Sequence, residues 1–272
     1  MNHEKKAKKL FVEKLNNYKL QDIKEFKKLS GGFTNFCYYI KTLNGKEFFV
    51  RIGSHKIDRT NEYSYLCASK KIKKYLYYDF FSGDAIKKWE KGRDLTFEEC
   101  LIKKIFIGIV KEIKKIQKIK FHKVLKIKVR NFYQFFTITK IDKKYLNKYK
   151  QIIEKYKNLD LVVSHNDIRP SNILINKNKI NIIDFEWCTL NNKYWDFANI
   201  VRELDYPLNE VEIIFKKYFK NLDFDIFKEI LFAATCFGVQ WSFSVKESKD
   251  LIKYRNSVLK ILEKYYKLFF EL

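Results

Sequence analysis

The chain has 272 residues, of which 46% are hydrophobic and 17% aromatic, with only 8 Gly and 2 Pro. This composition excludes a disordered, collagen-like or Pro-rich chain and indicates a globular protein with a buried core. The formal net charge is +24, but only seven of the 56 basic residues are arginines and the lysines are spread evenly, so we expect a general attraction for anionic ligands and no nucleic-acid partner.

Neither the cysteines nor the apolar runs indicate a secreted or membrane-spanning protein. Five widely separated cysteines form no CxxC pair, which argues against a disulfide framework and a zinc site. The lysine-rich N-terminus is not followed by an apolar stretch, so no signal peptide is expected. The longest uncharged run, residues 230–245, is shorter than the ~20 apolar residues of a membrane span and predicts a buried helix. We therefore expect a cytoplasmic protein without a membrane span.

The first third of the chain predicts a small sheet with one helix. Residues 33–40 and 47–52 are rich in aromatic and β-branched types, and Asn44-Gly45 between them is a strong hairpin signal. A helix is predicted over 58–74 and a further strand over 74–81.

The remaining chain predicts a mainly helical region. Apolar residues recur at helical spacing over 97–118, and a second helix is predicted over 142–157. Short apolar runs predict strands at 161–163, 173–175 and 180–183, the last two joined by a turn over 176–179. From Tyr194 onward the pattern is helical, with a break at Pro207.

These elements divide the chain into two predicted lobes. A sheet-rich N-terminal lobe, residues 1–86, is joined by a hinge near residues 84–91 to a mainly helical C-terminal lobe, residues 87–272. Ligands favour the cleft between two lobes of this kind.

One polar segment carries the chemistry. Asp167 and, five residues later, Asn172 come after a predicted strand, and Asp184 comes after the hairpin beyond them. Two carboxylates and an amide oxygen suit a hard cation such as Mg²⁺, which takes further ligands from phosphate. Phosphoryl transfer needs a carboxylate that orients the attacking hydroxyl and oxygen ligands that hold the metal. The alternative is a solvated turn in which Asp167 and Asn172 only cap the backbone. The combined pattern favours the functional interpretation.

The motifs HND-x4-N, IDFE and WDFAN resemble those of the superfamily of choline/ethanolamine kinases and aminoglycoside phosphotransferases, and most closely the bacterial choline kinases of the LicA type. The resemblance runs from Ser30 to about Val245. It implies an α+β, protein-kinase-like two-lobed fold with Asp167 as catalytic base and Asn172 and Asp184 as Mg²⁺ ligands. We expect His165 and Asp196 to brace the catalytic loop.

The resemblance also implies a nucleotide site in the N-terminal lobe. The segment 29–35 resembles the family's phosphate-covering loop, and Arg51 stands where most kinase-like enzymes carry a phosphate-binding lysine, with Glu62 as its expected partner. Adenine would lie against the backbone of the hinge. The nucleotide-binding residues predicted in this way are Gly31, Gly32, Thr34, Asn35, Arg51, Glu62, Ile86, Lys87, Lys88 and Trp89.

The acceptor is predicted from aromatic and acidic side chains. A quaternary ammonium has no N–H to donate and is bound by aromatic faces and nearby carboxylates. The resemblance places Glu186, Glu203 and Trp241 in such a pocket, and Gly238 stands where choline kinases often have a second tryptophan. The alternative is that these aromatics belong to the core. The predicted acceptor-binding residues are Glu186, Trp187, Tyr194, Trp195, Glu203 and Trp241.

The resulting hypothesis is a kinase that uses ATP and Mg²⁺ to phosphorylate the hydroxyl of choline, giving phosphocholine. Alternatives within the fold are an ethanolamine, thiamine or aminoglycoside phosphotransferase. A more distant alternative is a basic nucleic-acid-binding module without catalysis, which would require loss of a catalytic residue, whereas Asp167, Asn172 and Asp184 are all present. The oligomeric state is left open.

Overall fold

The structure is a computed structural model, and it describes residues 2–29, 35–54, 57–120, 128–130 and 140–271. The chain divides into two compact units. The N-terminal unit contains the described residues as far as Arg93 and, from later in the chain, the described residues 119–120 and Phe185–Cys188. The C-terminal unit begins at Asp94 and contains most of the later described residues, including 189–271.

The N-terminal unit is built on a five-stranded antiparallel sheet with the strand order β1-β2-β3-β5-β4. The predicted hairpin between β2 and β3 is confirmed, and Gly45 takes the left-handed φ of +79° that its turn requires. Its described elements are helix α1 (His3–Lys14), β1 (Ile23–Lys28), β2 (Phe36–Thr42), β3 (Glu47–Ile52), helix α2 (Thr60–Ala68), β4 (Tyr75–Tyr78) and β5 (Ala85–Lys88). The short strand β6 (Arg93–Asp94) follows along the chain and is not part of this sheet.

The alternation of side chains along β3 separates the core from the polar face of the sheet. Phe48, Val50 and Ile52 are buried in a cluster that includes Phe11 of α1, whereas Arg51 points to the opposite face. Helix α1 was not predicted, since only three of its twelve residues are buried and most of the others are charged. Strand β3 therefore places a cation on the face that does not carry the apolar core.

The C-terminal unit is mainly helical. Helix α8 is the predicted buried helix and packs against α5, α6 and α9. Two small sheets accompany the helices: β7 pairs with β10, and the second sheet has the strand order β6-β8-β9, in which β8 and β9 form a hairpin. The described elements are α3 (Phe97–Leu101), α4 (Lys103–Gln117), α5 (Lys143–Tyr156), β7 (Leu161–Ser164), β8 (Ile173–Asn176), β9 (Lys179–Ile182), β10 (Thr189–Asn192), α6 (Trp195–Leu204), α7 (Leu208–Tyr218), α8 (Phe224–Ser244) and α9 (Lys249–Phe270).

Two predicted helix boundaries can be compared with the structure. The single helix predicted over 97–118 is wrong, because Ile102 has an extended backbone and separates α3 from α4. The break at Pro207 is confirmed, since α6 ends before it and α7 begins after it. No helix in the described part of the chain is both long and apolar enough to cross a membrane.

Candidate active site

The loop after β7 holds Asp167 and Asn172 together. Residues 170–172 form one 3₁₀ turn, which brings the Asn172 side chain back beneath the loop. The Asn172 amide Nδ2 donates to the Asp167 carbonyl oxygen at 2.8 Å and to its carboxylate Oδ2 at 2.9 Å. Because both bonds use the amide nitrogen, the amide oxygen is directed away from the Asp167 carboxylate.

Asp184 lies at the end of β9 beside this loop. The Ile183 N–H donates to the Asn172 carbonyl oxygen at 3.0 Å, so the backbones of the two segments are in direct contact. Asp184 itself has a φ of +63°, an uncommon conformation for a residue other than glycine, and its side chain is exposed. The structure thus brings the segments of all three predicted catalytic and metal-binding residues together.

A buried carboxylate and a buried histidine fix the backbone of this loop. Asp196, at the start of α6, accepts the N–H groups of His165 and Asn166, both at 2.8 Å. The His165 Nδ1 accepts the Asp167 N–H at 3.2 Å, so its other nitrogen carries the proton and donates to the Ile183 carbonyl oxygen at 2.8 Å. The predicted bracing roles of His165 and Asp196 are confirmed.

Burial decides the protonation behaviour of Asp196. The side chain is fully buried, which raises its pKa from 3.8 to about 6, although the two N–H groups that it accepts act in the opposite direction. The buried Asp196 carboxylate thus holds the loop backbone in place through the two N–H groups that it accepts.

Arginine side chains surround Asp167. The Arg169 Nε lies 3.5 Å from Asp167 Oδ2, and although burial lowers the pKa of Arg169, the nearby groups Asp167, Glu203, Asp184 and Tyr254 together raise it above its ordinary value. Arg130 is half-buried, with its guanidinium over the ring of Phe237 at 4.7 Å, and desolvation lowers its pKa to about 10. The two arginines thus place positive charge near the Asp167 carboxylate.

Glu203 and Trp241 meet through a residue that the sequence analysis missed, Tyr254 of α9. Its hydroxyl donates to Glu203 Oε1 at 3.3 Å, and its ring lies edge-on to Trp241 with 6.1 Å between centroids. Arg202 also pairs with Glu203. Burial and the charges of Glu203 and Asp167 raise the pKa of Tyr254, although Arg202 acts in the opposite direction. Its i+13 spacing from Trp241 gives no sequence signal.

The other predicted aromatic residues of the acceptor pocket have different surroundings. Tyr194 is 3% exposed, and its hydroxyl accepts the Asp223 N–H at the start of α8. Trp195 is 1% exposed and packs edge-on against Phe237. Trp187 is half-buried and belongs to the N-terminal unit. Tyr194 and Trp195 are therefore core side chains.

In the N-terminal unit, the predicted pair of Arg51 and Glu62 is present. The Arg51 guanidinium donates to both Glu62 oxygens, at 2.8 and 3.2 Å, and its Nε donates to the Gly83 carbonyl oxygen at 2.8 Å. Burial alone would raise the pKa of Glu62, but Arg51 and Arg59 lower it by more. Gly31, Gly32 and Thr34 lie outside the described residues.

The predicted hinge is in part a strand. Ile86, Lys87 and Lys88 belong to β5, which pairs with β3 on one side and β4 on the other, and the Trp89 N–H donates to the Glu47 carbonyl oxygen at 3.0 Å. Much of the backbone predicted to face adenine is therefore engaged in the sheet. A side-chain pattern could not reveal this, because both faces of β5 carry mixed residues.

Glu186 and Asn35 meet at a second buried arginine, Arg59. The Asn35 amide donates to Glu186 Oε2 at 2.7 Å, and the Arg59 guanidinium donates to Glu186 Oε2 at 3.0 Å and to Asn35 Oδ1 at 2.6 Å. The carboxylate predicted to bind the acceptor is thus held beside a residue predicted to bind nucleotide.

Asp184 and Asn172 in the C-terminal unit carry oxygen atoms of the types that coordinate Mg²⁺. The Asp184 carboxylate is exposed, and the Asn172 amide is held with its nitrogen toward Asp167. A carboxylate and an amide oxygen, completed by water and phosphate, are the ligand types that Mg²⁺ takes in nucleotide sites. Within the described residues, no three His, Cys, Asp or Glu side chains cluster as a metal site.

Comparison with known proteins identifies the family. The family model for choline/ethanolamine kinase matches residues 26–222 of the chain. A Mycoplasma pneumoniae protein, described as an uncharacterized MG356 homolog, is 26% identical over 247 residues, which are 89% of this chain and 86% of that protein.

Solved structures share the fold. An ethanolamine kinase of Plasmodium vivax superposes with a TM-score of 0.77 at 19% identity, covering 95% of this chain and 89% of its own. Choline kinase LicA of Streptococcus pneumoniae superposes with a TM-score of 0.75 at 17% identity, covering 94% of this chain and 99% of the LicA chain. The predicted α+β, protein-kinase-like fold, with a sheet-rich N-terminal part and a helical C-terminal part, is confirmed.

Proposed function

Because the chain belongs to the choline/ethanolamine kinase family, we propose that it transfers the γ-phosphoryl group of ATP to the hydroxyl of choline and releases phosphocholine and ADP. The observation that carries this proposal is the Asn172 amide, which binds the Asp167 carboxylate at 2.9 Å while the Asn172 carbonyl accepts the N–H of Ile183, next to Asp184. This arrangement supplies a base and two oxygen ligands in one place.

Asp167 is proposed as the base that orients the acceptor hydroxyl. Its backbone is held by the His165 ring and its carboxylate by Asn172, so the position of the carboxylate is set before a substrate arrives. The Arg169 Nε lies 3.5 Å from the same carboxylate and provides a positive charge beside the proposed base.

Asn172 and Asp184 are proposed to hold Mg²⁺ on the nucleotide. When bound, the ion would neutralise charge on the phosphates during transfer. Support comes from related structures: LicA has been solved in complex with AMP, and amicoumacin kinase with AMP-PNP and Ca²⁺. Arg51 is proposed to bind nucleotide phosphate. Its three described hydrogen bonds leave two guanidinium N–H groups for phosphate oxygens.

The acceptor pocket is proposed at Glu203 and Trp241, with Tyr254 between them. An indole and a phenol face near a carboxylate suit a cationic amine. Ethanolamine is the second candidate, because Glu203 and Tyr254 supply oxygen atoms that can accept the N–H bonds of a primary ammonium, which choline lacks.

An acceptor panel tests the proposal. Purified protein with ATP and Mg²⁺ is offered choline, ethanolamine, thiamine and kanamycin, and phosphorylated product is measured by mass spectrometry. We expect the highest kcat/KM with choline. Phosphorylation of kanamycin alone would exclude the proposed acceptor, and a failure with all four acceptors despite ATP binding would exclude this substrate range.

A further inference from the structure

We propose that Arg59 is a positioning residue for the nucleotide half of the reaction: it fastens the chain segment directly after Asp184 to helix α2, and so holds Arg51, Asn35 and that segment in one arrangement. This inference rests on the proposed function, because it assumes that Arg51 binds nucleotide phosphate and Asp184 binds metal.

The Arg59 guanidinium joins three parts of the chain that are distant in sequence. One nitrogen, Nη1, donates to Glu62 and to Glu186, both at 3.0 Å, and the other, Nη2, donates to Asn35 at 2.6 Å. Asn35 also donates to Glu186 at 2.7 Å, which closes a ring of hydrogen bonds. Three independent partners around one planar fork define its position more strictly than a single ion pair would.

Arg59 shares a partner with the proposed phosphate-binding cation. Glu62 Oε2 accepts from Arg51 at 3.2 Å and from Arg59 at 3.0 Å. Two arginines therefore face two carboxylates, Glu62 and Glu186, and the charges of the buried group balance. Removing Arg59 would leave Glu62 and Glu186 with a single cation, Arg51, between them. The unpaired negative charge would then attract the Arg51 guanidinium and shift its position.

Arg59 lies close to the backbone of the β4–β5 turn, at a position where only glycine leaves room for it. Gly83 has a φ of +76°, and a Cβ there would lie 2.7 Å from Arg59 Nε. The Gly83 carbonyl accepts Arg51 Nε at 2.8 Å. The same glycine thus supports both arginines, and Arg59 is 1% exposed in the resulting cradle.

A second contact, between Tyr65 and Phe185, joins the same two segments as the ion pair of Arg59 and Glu186. Arg59 directly precedes α2, and Glu62 and Tyr65 follow it at intervals of three residues on successive turns of the helix. Tyr65 stacks on Phe185 with 3.9 Å between ring centroids and 17° between planes. Phe185 and Glu186 are the two residues directly after Asp184 in the chain, so an ion pair and a ring stack both hold this segment to α2.

The arrangement reassigns Glu186. The sequence analysis placed it in the acceptor pocket, but its described partners are Arg59 and Asn35 in the N-terminal unit. Disturbing the cluster should therefore affect nucleotide and metal use, and should leave acceptor binding unchanged.

Arg59→Lys is the primary test, because it keeps the charge and removes the fork. We measure ATP affinity without an acceptor, by isothermal titration, and the KM values for ATP, Mg²⁺ and acceptor. We expect kcat/KM for ATP to fall about tenfold to a hundredfold, with the KM for Mg²⁺ raised and the acceptor KM changed less than about twofold. Glu186→Gln should give the same pattern, and the two changes should be far from additive.

Lys6→Met is the matched control, because it removes a partly buried ion pair with Asp84 in the same unit, outside the Arg59 cluster. It should lower stability while ATP affinity stays unchanged. Unaltered ATP and Mg²⁺ parameters in both Arg59→Lys and Glu186→Gln, or a change confined to the acceptor KM, would overturn the proposal. If Arg59→Lys does not fold, Glu186→Gln and Asn35→Ala decide alone. Wild-type protein that does not bind ATP would refute the proposed function, whereas wild-type ATP binding with unaltered variants would refute only the role of Arg59.

Discussion

Gly238 lies directly beside the guanidinium of Arg202: a Cβ at position 238 would approach Arg202 Nη1 to 2.8 Å and the Tyr254 hydroxyl to 3.3 Å. Arg202 is 6% exposed and is anchored by the Ala234 carbonyl at 2.8 Å and by Glu203. The absence of a side chain at 238 is therefore required by the side chain opposite.

We predict that Gly238→Ala destabilises the protein. Alanine favours a helix by about 1 kcal/mol over glycine, but displacing the buried Arg202 costs about 1–3 kcal/mol, so the net free energy of unfolding should fall by about 1 kcal/mol. Urea denaturation measures it. Combining Gly238→Ala with Arg202→Lys, which shortens the opposing side chain, should cost less than the two single changes together. Strict additivity would contradict the proposed clash.

Tyr254→Phe tests the acceptor pocket. The change removes a hydrogen bond to the Glu203 carboxylate, and bonds of this kind contribute about 1.5–3 kcal/mol. We expect the acceptor KM to change about tenfold or more while the KM for ATP stays constant. Tyr39→Phe is the control, since it removes a similar bond, to Glu47 at 2.6 Å, in the other unit. An equal effect of both variants on the acceptor KM would rule out a specific role for Tyr254.

Asp167→Asn should abolish transfer and spare nucleotide binding. The amide keeps the size of the carboxylate but cannot accept the hydroxyl proton, so we expect kcat to fall by about 10²–10⁴-fold. Quench-flow or steady-state assays measure kcat, and isothermal titration measures ATP affinity. Turnover within threefold of the wild type would show that Asp167 is not the base.

Asp196 should make stability depend on pH. Its folded-state pKa of about 6 lies above its ordinary 3.8, so the folded protein binds the proton more tightly than the unfolded chain. The resulting contribution is complete below about pH 4 and is lost as pH rises through 6, with a total of up to about 3 kcal/mol.

Asp196→Asn isolates this contribution, because the variant does not titrate there. The difference in unfolding free energy between wild type and variant should change steadily from pH 4 to 7, in favour of the wild type at the acidic end. The His165→Asn variant changes the same loop but keeps Asp196. Its unfolding free energy should therefore depend on pH between 4 and 7 in the same way as that of the wild type. A pH-independent difference for Asp196→Asn would exclude the raised pKa.

Local pattern was a good guide wherever neighbours in sequence are neighbours in space. The Asn44-Gly45 turn, the hairpin of β8 and β9 and the buried helix α8 were predicted because turn chemistry and hydrophobic periodicity are short-range properties. The same logic failed at Ile102, where one extended residue interrupts an apolar repeat that is otherwise continuous.

The family and the oxygen-bearing residues of the site could be predicted from the amino-acid sequence, because HND-x4-N and IDFE are short motifs of neighbouring residues. The partners of the buried carboxylates became known from the folded structure alone. Arg59 and Glu186 are 127 positions apart, and Glu203 meets Tyr254 across 51. Such pairs form because buried charges must find partners once the backbone has folded, and no local pattern records which partner packing will bring within reach.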